Sequence, residues 1–313
     1  MGQKLKVILK YLSFLVVPLI FFVLSYLVDW QLALESFKGT NIPLVLLAIS
    51  LSFFYPLIGA ARWQAIVGAF DKKLTFWKSI QPIMIAFSAN LFVPAKTGDF
   101  VKALVTDINI DKKKLASGVI AERIGDIASL GFLACIGGLL ISNYWISSLG
   151  ISIVLGIILV IALGNLLLLS SKKDNFSGLI GVVINSFVLW KNNSKQLLKA
   201  FSYSLFNWIV GAIQVWLLFL SLGSKITLQA VLANFPATVL ISILPITPGG
   251  LGVRESAYVY VFQAYSDTHI SIAVSLAYYF FSTGLLALLG SLFVYAYLDK
   301  NFMKDIASSK LNL

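Results

Sequence analysis

The sequence has very few of the residues that build metal centres and covalent catalytic sites. Cys135 is the single cysteine and His269 the single histidine among 313 residues. One cysteine excludes an internal disulfide, and one cysteine with one histidine is too few for a zinc site. The same scarcity argues against a serine triad or a thiol–imidazole pair. We therefore predict a chain that uses no metal or other cofactor.

Charge is also scarce, and its sign is unbalanced. Charged residues make up 12% of the chain, against about 25% in soluble domains, while apolar residues make up 59% and the mean hydropathy is +0.91. The 24 basic residues outnumber the 13 acidic ones, which is typical of cytoplasmic loops of membrane proteins. No basic stripe is interleaved with aromatic residues in a soluble segment, so we expect no nucleic-acid partner. The composition predicts an all-α polytopic protein of the cell (cytoplasmic or inner) membrane.

The amino-terminal apolar run resembles a signal sequence but fits a retained helix better. Lys4, Lys6 and Lys10 precede an apolar run over residues 11–28, which has about the length of a membrane span. No small-x-small cleavage site precedes Asp29. We predict a first span with a cytoplasmic start, followed by five more spans at residues 42–60, 124–141, 151–170, 201–222 and 270–298.

Two further apolar stretches, residues 79–95 and 228–247, are interrupted by proline and glycine. If both crossed the bilayer, 13 of the 24 basic residues would lie outside, against the positive-inside rule. If both return to the side from which they enter, only Lys38, Lys225 and Arg254 lie outside. We therefore predict six spans plus two oppositely oriented re-entrant hairpins, with both termini cytoplasmic.

The chain reads as one membrane domain, residues 1–313, with three special segments. The first hairpin with its returning helix covers 79–107 and the second covers 228–264. An amphipathic interfacial helix covers 175–199, with apolar residues followed by lysines. Segment 98–103 aligns with 250–255 through a shared glycine, valine and basic residue. This similarity favours an inverted repeat, in which facing broken helices form a site near the bilayer centre.

Charged and glycine residues cluster where each hairpin turns. Ionisable side chains at membrane depth are costly and mark functional sites by default, and glycines permit tight turns and close backbone approach. An arginine can hold a phosphate through two hydrogen bonds, whereas a lysine acts as a point charge. The alternatives are that Arg254 pairs with neighbouring acids and that Lys102 reaches back to the interface. Interhelical hydrogen bonding explains Asn90 as well as a headgroup pocket does. The candidate binding residues are Asn90, Lys96, Gly98, Lys102, Gly249, Gly250, Gly252, Arg254 and Glu255.

A third charged group opens the predicted span at residues 124–141. Glu122 and Asp126 are one helical turn apart, and Arg123 and Asp126 are neighbours on the same surface. The group is a candidate for gating or coupling, either by clamping a hairpin through Lys96 or Lys102 or by carrying a proton. An ion cluster that only fixes the helix end is the alternative. Arg62 and Trp63 read as an interfacial anchor.

Signatures of an energy-coupling or transferase enzyme are missing. The chain has no phosphate-binding G-x-x-x-x-G-K-[ST] loop. It also has no D-x-D motif for a metal-dependent transferase; Asp107 and Asp111 form the nearest acidic pair. We expect that the protein is not an enzyme.

With Pro248-Gly-Gly-Leu-Gly-Val-Arg-Glu255, the segment Asn90 to Asp99 and Glu122-Arg123-x-x-Asp126, the chain resembles a known family over about residues 5–300. This is the flippase-like membrane domain of lysylphosphatidylglycerol synthases, found alone in YbhN/UPF0104-type proteins. The chain departs from the common family pattern at two places in the first hairpin. It has Lys96-Thr97 where the family often has an arginine–glycine pair, and Lys102 where the family often has an arginine. The chain ends at Leu313, and we expect it to lack the synthase activity.

The resemblance implies movement of a lipid with a polar headgroup between the two leaflets. The departures at Lys96, Thr97 and Lys102 leave the headgroup open: an anionic phospholipid, a polyprenyl-linked sugar or another glycolipid. The alternative reading is an integral component or partner of a lipid-modifying glycosyl or acyl transferase. The expected partners are thus a lipid headgroup and, in the alternative, such an enzyme; the sequence does not set the oligomeric state.

Overall fold

The computed structural model describes residues 39–170, 178–243 and 252–310, and within these ranges the chain forms helices and no strands. The predicted first span, 11–28, lies outside the described residues. A 3-10 turn covers Pro94–Phe100 and a π-helical turn covers Phe280–Gly284. The α-helices are α1 (Ile42–Ser52), α2 (Phe54–Gly68), α3 (Phe76–Ala89), α4 (Val101–Val105), α5 (Lys112–Leu140), α6 (Tyr144–Ser170), α7 (Gly178–Asn192), α8 (Ser194–Ser221), α9 (Leu228–Ser242), α10 (Val253–Phe262), α11 (Thr268–Tyr279) and α12 (Leu285–Lys310).

Side-chain caps fix the start of several helices. The Asn41 side chain accepts from the Leu44 amide at α1, and Thr227 accepts from the Ala230 amide at α9. Asp111 accepts from the amides of Lys113 and Lys114 at α5. These bonds satisfy amides that have no partner within the first turn of a helix.

Four helical stretches of the described residues are long and apolar enough to cross a membrane: Ile42–Gly68, Tyr144–Leu163, Ser194–Ser221 and Thr268–Asp299. They contain or overlap the predicted spans at 42–60, 151–170, 201–222 and 270–298. The predicted span at 124–141 falls almost entirely within α5, which is not among the four. The all-helical membrane architecture is thereby shown, and the count of six remains a prediction.

Helix α5 begins twelve residues before the span predicted at 124–141. Asp111 caps it, and its first turns bury Leu115 and Val119 in a core with α2. The charged group at residues 122–126 therefore lies well inside a 29-residue helix, not at its start. At about 1.5 Å rise per residue, this group lies roughly 15–21 Å from the beginning of the helix.

Helices α3 and α4 form the first helix–turn–helix unit, and both of its outer ends lie near the end of α2. The Gln64 amide donates to the Leu74 carbonyl over 2.6 Å before α3 begins. The Trp63 indole donates to the Thr106 hydroxyl over 3.0 Å after α4 ends. The unit therefore leaves and rejoins the same end of the molecule.

Helices α9 and α10 form the second unit, at the other end. The Ser224 hydroxyl, just after α8, donates to the Tyr265 carbonyl, just after α10. The rings of Phe219 on α8 and Phe262 on α10 are 4.9 Å apart. Because α8 begins where α2 ends, with Asn193 donating to the Ala69 carbonyl over 2.7 Å, the two units start from opposite ends of the helical bundle.

Each unit packs on the long helix that follows the other unit. Helix α3 packs on α12, where a Cβ on Gly290 would overlap the Met84 carbonyl oxygen. Helix α9 packs on α5, where a Cβ on Gly137 would overlap the Ala233 backbone. In both cases a unit from one half of the chain packs on a long helix from the other half, with a glycine at the contact. The two halves of the chain are therefore interlocked.

The predicted interfacial helix at 175–199 has different bounds. Residues 178–192 form α7, whereas 194–199 belong to α8, and the two helices break at Asn193. Phe187 and Leu189 on α7 are buried. At this break the Asn193 side chain donates to the Ala69 carbonyl, just after the end of α2. Residues 175–177 lie outside the described ranges, and the position of α7 at the membrane surface stays a prediction.

Candidate functional site

A buried ion network joins the first helix–turn–helix unit, α3 to α4, to helix α5. This unit is called the first hairpin below, and the unit of α9 and α10 the second hairpin. The Lys102 ammonium on α4 is 2.7 Å from Glu122 Oε2 and 3.9 Å from Asp99 Oδ2. The Arg123 guanidinium is 2.8 Å from Asp99 Oδ2 and 2.9 Å from Asp126 Oδ2. The side chains of Lys102, Glu122 and Asp126 are almost fully buried. Buried charges persist only when opposite charges and donors surround them, so the network holds the hairpin tip against α5.

Arg62 on α2 completes this network. Its guanidinium contacts Glu122 and lies 2.6 Å from Asp126 Oδ1, and it also donates to the Ser204 hydroxyl over 3.1 Å. The expectation that Arg62 and Trp63 form an interfacial anchor was wrong, since Trp63 is fully buried and Arg62 nearly so. The reason is that α2 continues to Gly68, past the predicted end of the span at residue 60.

The tip of the first hairpin is fixed by a close approach of backbone to backbone. A Cβ on Gly98 would lie 2.7 Å from the Ala89 carbonyl carbon and 2.6 Å from Asn90 Oδ1. Asn90 donates to Asp99 Oδ1 over 3.0 Å. Arg123 and Lys102 both pair with Asp99. Gly98 is therefore required by the turn, and Asp99 is a member of the network.

The second hairpin places Arg254 and Glu255 at the beginning of α10. Gly252 has φ +80°, which favours glycine, and its amide donates to Glu255 Oε2 over 2.6 Å. The Arg254 guanidinium donates through Nε and Nη2 to Glu255 Oε1, so neither bond uses Nη1. Its central carbon lies 3.8 Å from the ring centroid of Tyr279, a cation–π contact. Gly249 and Gly250 lie outside the described residues.

The first hairpin tip and the described residues on either side of the second turn, Ser242 and Arg254, line one cavity with a volume of about 180 Å³. The charged residues Arg62, Lys96, Asp99, Lys102, Arg123, Asp126 and Arg254 line it, together with Asn90. Aromatic side chains form much of the remaining wall: Tyr55, Phe87, Trp208, Tyr258, Tyr278 and Tyr279. Residues predicted from two segments more than 150 positions apart thus share one site.

The π-helical turn Phe280–Gly284 lies at the wall of this cavity through Ser282 and Thr283. Such turns insert an extra residue into a helix and often occur at functional sites. Here the turn directly follows Tyr278 and Tyr279, which also line the cavity. The cavity wall next to Tyr279, the residue on which Arg254 stacks, is therefore formed by an irregular helix.

Three polar residues inside the apolar helices, Asn207, Gln214 and Asn234, have different surroundings. Asn207 lines the cavity. Gln214 does not; it accepts from Tyr55 and donates to Ser52 and the Ala48 carbonyl, so it ties α8 to α1 and α2. Asn234 donates to the Ala230 carbonyl of its own helix.

Sequence reasoning missed Arg62 and the aromatic wall. Buried residues Ala65, Ile66 and Val67 follow Arg62, and this continued apolar pattern was the available signal that the helix goes on. Trp208 and Tyr279 lie in spans rich in aromatic residues. Nothing in their spacing separates a cavity-lining ring from a packed or lipid-facing one.

Comparison of the sequence with known proteins places the chain in a family. The model of the family described as "Lysylphosphatidylglycerol synthase TM region" matches residues 10–290. The chain belongs to this family. It is similar to a UPF0104 membrane protein of Pyrococcus horikoshii, at 25% identity over 91% of this chain and 96% of that protein. Two UPF0104 membrane proteins of Methanocaldococcus jannaschii are 25% and 26% identical over 71% and 76% of this chain, and over 98% and 80% of their own lengths.

Proposed function

We propose that this protein moves a lipid with a polar, phosphate-containing headgroup between the leaflets of the cell membrane, without covalent change of the lipid. The observation that carries the proposal is the shared cavity, into which both hairpin tips place cations. A membrane interior offers no comparable polar surface, so a headgroup needs such a cavity to cross. Membership of a lipid-related membrane family supports the same reading.

The two units correspond, in this proposal, to re-entrant hairpins of an inverted repeat. They start from opposite ends of the bundle, and each packs on the long helix that follows the other. Broken helices that meet head to head near the bilayer centre form the substrate sites of several transporter folds. Small movements of one half against the other would then expose the cavity to either side.

The distribution of exposed lysines supports a cytoplasmic orientation for one end of the bundle. That end joins the loop after α2, the start of α5 and the start of α8 in one apolar core. It carries the exposed residues Lys72, Lys73, Lys78, Lys112, Lys113, Lys114, Lys195 and Lys199. The other end, in the described residues, carries Lys225. By the positive-inside rule we assign the lysine-rich end to the cytoplasm, and the cytoplasmic position of both termini stays a prediction from the sequence.

Leaflet exchange in proteoliposomes tests the proposal. Vesicles with the purified protein and phosphatidylglycerol carrying a dithionite-quenchable fluorophore should lose nearly all fluorescence, whereas empty vesicles should lose about half. Arg254→Ala should slow exchange strongly and Arg254→Lys should restore part of it, since a lysine keeps the charge but lacks the guanidinium plane that stacks on Tyr279. Lys225→Ala, an exposed control, should behave as the parent. Exchange no faster than in empty vesicles would contradict the proposal.

A second candidate function is that of a membrane partner for a lipid-modifying enzyme. The family description favours it, because it names the membrane region of a synthase. In this case the cavity would present a lipid to the enzyme, and the isolated chain would not exchange lipid. Copurification of a lipid-modifying enzyme, together with no exchange by the chain alone, would favour this function over transport.

A further inference from the structure

The charges that the described residues bring to the cavity do not balance. Five of their cations line it: Arg62, Lys96, Lys102, Arg123 and Arg254. Four carboxylates line it or pair with residues that do: Asp99, Glu122, Asp126 and Glu255. All four are already engaged, three of them by at least two cations each and Glu255 by Arg254, Ser275 and the Gly252 amide.

Among the residues that the structure describes, Lys96 is the cation in excess. No carboxylate of the described residues lies within 4 Å of its ammonium, which is 5.1 Å from the ring centroid of Trp208. The side chain is exposed where it lines the cavity, and its backbone has φ +53°, a conformation that non-glycine residues seldom adopt. The undescribed stretch 244–251, next to the second hairpin tip, contains no acidic residue. Lys96 is therefore available to a negatively charged ligand.

Unsatisfied polar atoms around the cavity are mostly donors. Among the described residues, seven buried side-chain atoms lack a hydrogen-bond partner, and five of them belong to residues that line this cavity. Three are N–H groups, on Arg62, Arg123 and Trp208; Tyr258 has a hydroxyl, and Asn90 contributes an acceptor. Phosphate and hydroxyl oxygens match this set, because they supply acceptors and a hydroxyl also donates.

Resting on the proposed transport function, we infer that the cavity selects a headgroup with a net negative phosphate and discriminates against one that carries an added cationic aminoacyl group. An aminoacyl ammonium entering the cavity would meet the charge of Lys96 and would have to displace a cation from an existing pair. The Trp208 and Tyr279 faces, which attract cations, already hold Lys96 and Arg254. The lipid implied is of the phosphatidylglycerol type, rather than the lysylated lipid in the family description.

Lipid retention during purification tests the inference separately from transport. The protein is exchanged into micelles with equal amounts of phosphatidylglycerol, lysylphosphatidylglycerol and phosphatidylethanolamine, and the retained lipids are measured by mass spectrometry. We expect phosphatidylglycerol to exceed the lysylated lipid by about tenfold, which corresponds to about 1.4 kcal/mol. Lys96→Gln and Lys96→Glu should reduce this ratio progressively. Lys113→Glu makes the same charge change at an exposed position on α5 and should leave the ratio unchanged.

Two further comparisons separate a lipid from a free phosphate and the inference from the proposed function. If glycerol 3-phosphate or inorganic phosphate at millimolar concentration raises the Tm in a Lys96-dependent way while no lipid is preferred, the ligand is a soluble phosphate and the lipid assignment falls. Equal retention of the lysylated lipid, or its preference, overturns the inference even if leaflet exchange occurs. Selective retention without leaflet exchange leaves the inference standing and removes the transport function.

Discussion

At the scale of single residues, each charge of the buried ion network is balanced by opposite charges next to it. The single carboxylate of Glu122 contacts three cations, Arg62, Lys102 and Arg123. Desolvation of one carboxylate and one ammonium costs several kcal/mol each, so such a group is stable only when all members are present. Removing one member should therefore cost more than the loss of one exposed ion pair, which is worth about 0–1 kcal/mol.

A double-mutant cycle on Lys102 and Glu122 tests this coupling. Lys102→Met and Glu122→Gln should each lower stability by about 3–5 kcal/mol, since each leaves a buried charge with fewer partners. The double variant should lose less than the sum, with a coupling of about 1–3 kcal/mol. Thermal unfolding in detergent provides the measurement.

The control cycle pairs Lys102→Met with Asp126→Asn. Asp126 bonds Arg62 and Arg123 but not Lys102, so these two changes should be closer to additive. Equal coupling in both cycles would contradict the pairwise contacts and leave only a diffuse charge effect.

Single residues also show how much of the site could be predicted from the sequence. Asn90, Lys96, Lys102, Glu122 and Arg254 were predicted because charges and amides stand out in apolar sequence. Which of them pair was not predictable, because pairing depends on how the helices approach in space. The partner of Glu122 was left open between two lysines, and the structure brings Lys102 to it.

At the scale of elements, glycine contacts set the distance between the two halves. Gly137 on α5 faces α9, and Gly290 on α12 faces α3, each without room for a side chain. Small residues let helix backbones approach closely in membranes, where packing replaces the hydrophobic effect as the driving force. Proline and glycine predicted an interruption in both chain segments, and their re-entrant course in a membrane stays a prediction. The crosswise packing was not predictable, since it joins distant elements.

Substitution of these glycines tests the interlocked packing. Gly137→Val and Gly290→Val should each lower the Tm clearly, because an overpacked contact typically costs about 1–3 kcal/mol. Gly156→Val on α6 is the matched control, since no neighbouring atom lies within 4 Å of a Cβ there. If Gly137→Val and Gly290→Val have the same Tm as the parent, as we expect of Gly156→Val, these glycine contacts do not stabilise the protein.

At the scale of the whole molecule, the bundle has a lysine-rich end and a lysine-poor end. The apolar exterior is illustrated by Tyr144–Leu163, of which only a small part is buried. The charge pattern along the chain predicted that the lysines gather at one end of the bundle, as they do in the described residues. The side of the membrane that this end faces stays a prediction. The inverted repeat predicted one site shared by the two hairpins. The residues that line the cavity could be identified only from the structure, because they come from helices that are far apart in the sequence.

Cysteine accessibility tests the sidedness. After Cys135→Ser, single cysteines at Lys113 and Asn193 should resist an impermeant thiol reagent in intact cells, and should react once the membrane is permeabilised. A cysteine at Lys225, on the opposite end, should react in intact cells. Labelling of Lys113→Cys and Asn193→Cys from outside, with protection of Lys225→Cys, would reverse the orientation.

The central claim is that the tips of both hairpins form one site for a lipid headgroup, and cross-linking with a photoreactive headgroup tests it most directly. Phosphatidylglycerol with a photoreactive group on its glycerol is incorporated with the protein into vesicles, irradiated, and the modified peptides are mapped by mass spectrometry. The account predicts modification both between Pro94 and Lys102 and between Gly252 and Tyr258, reduced together by Lys96→Glu. Modification confined to the exposed face of Tyr144–Leu163, or to one hairpin alone, would contradict it.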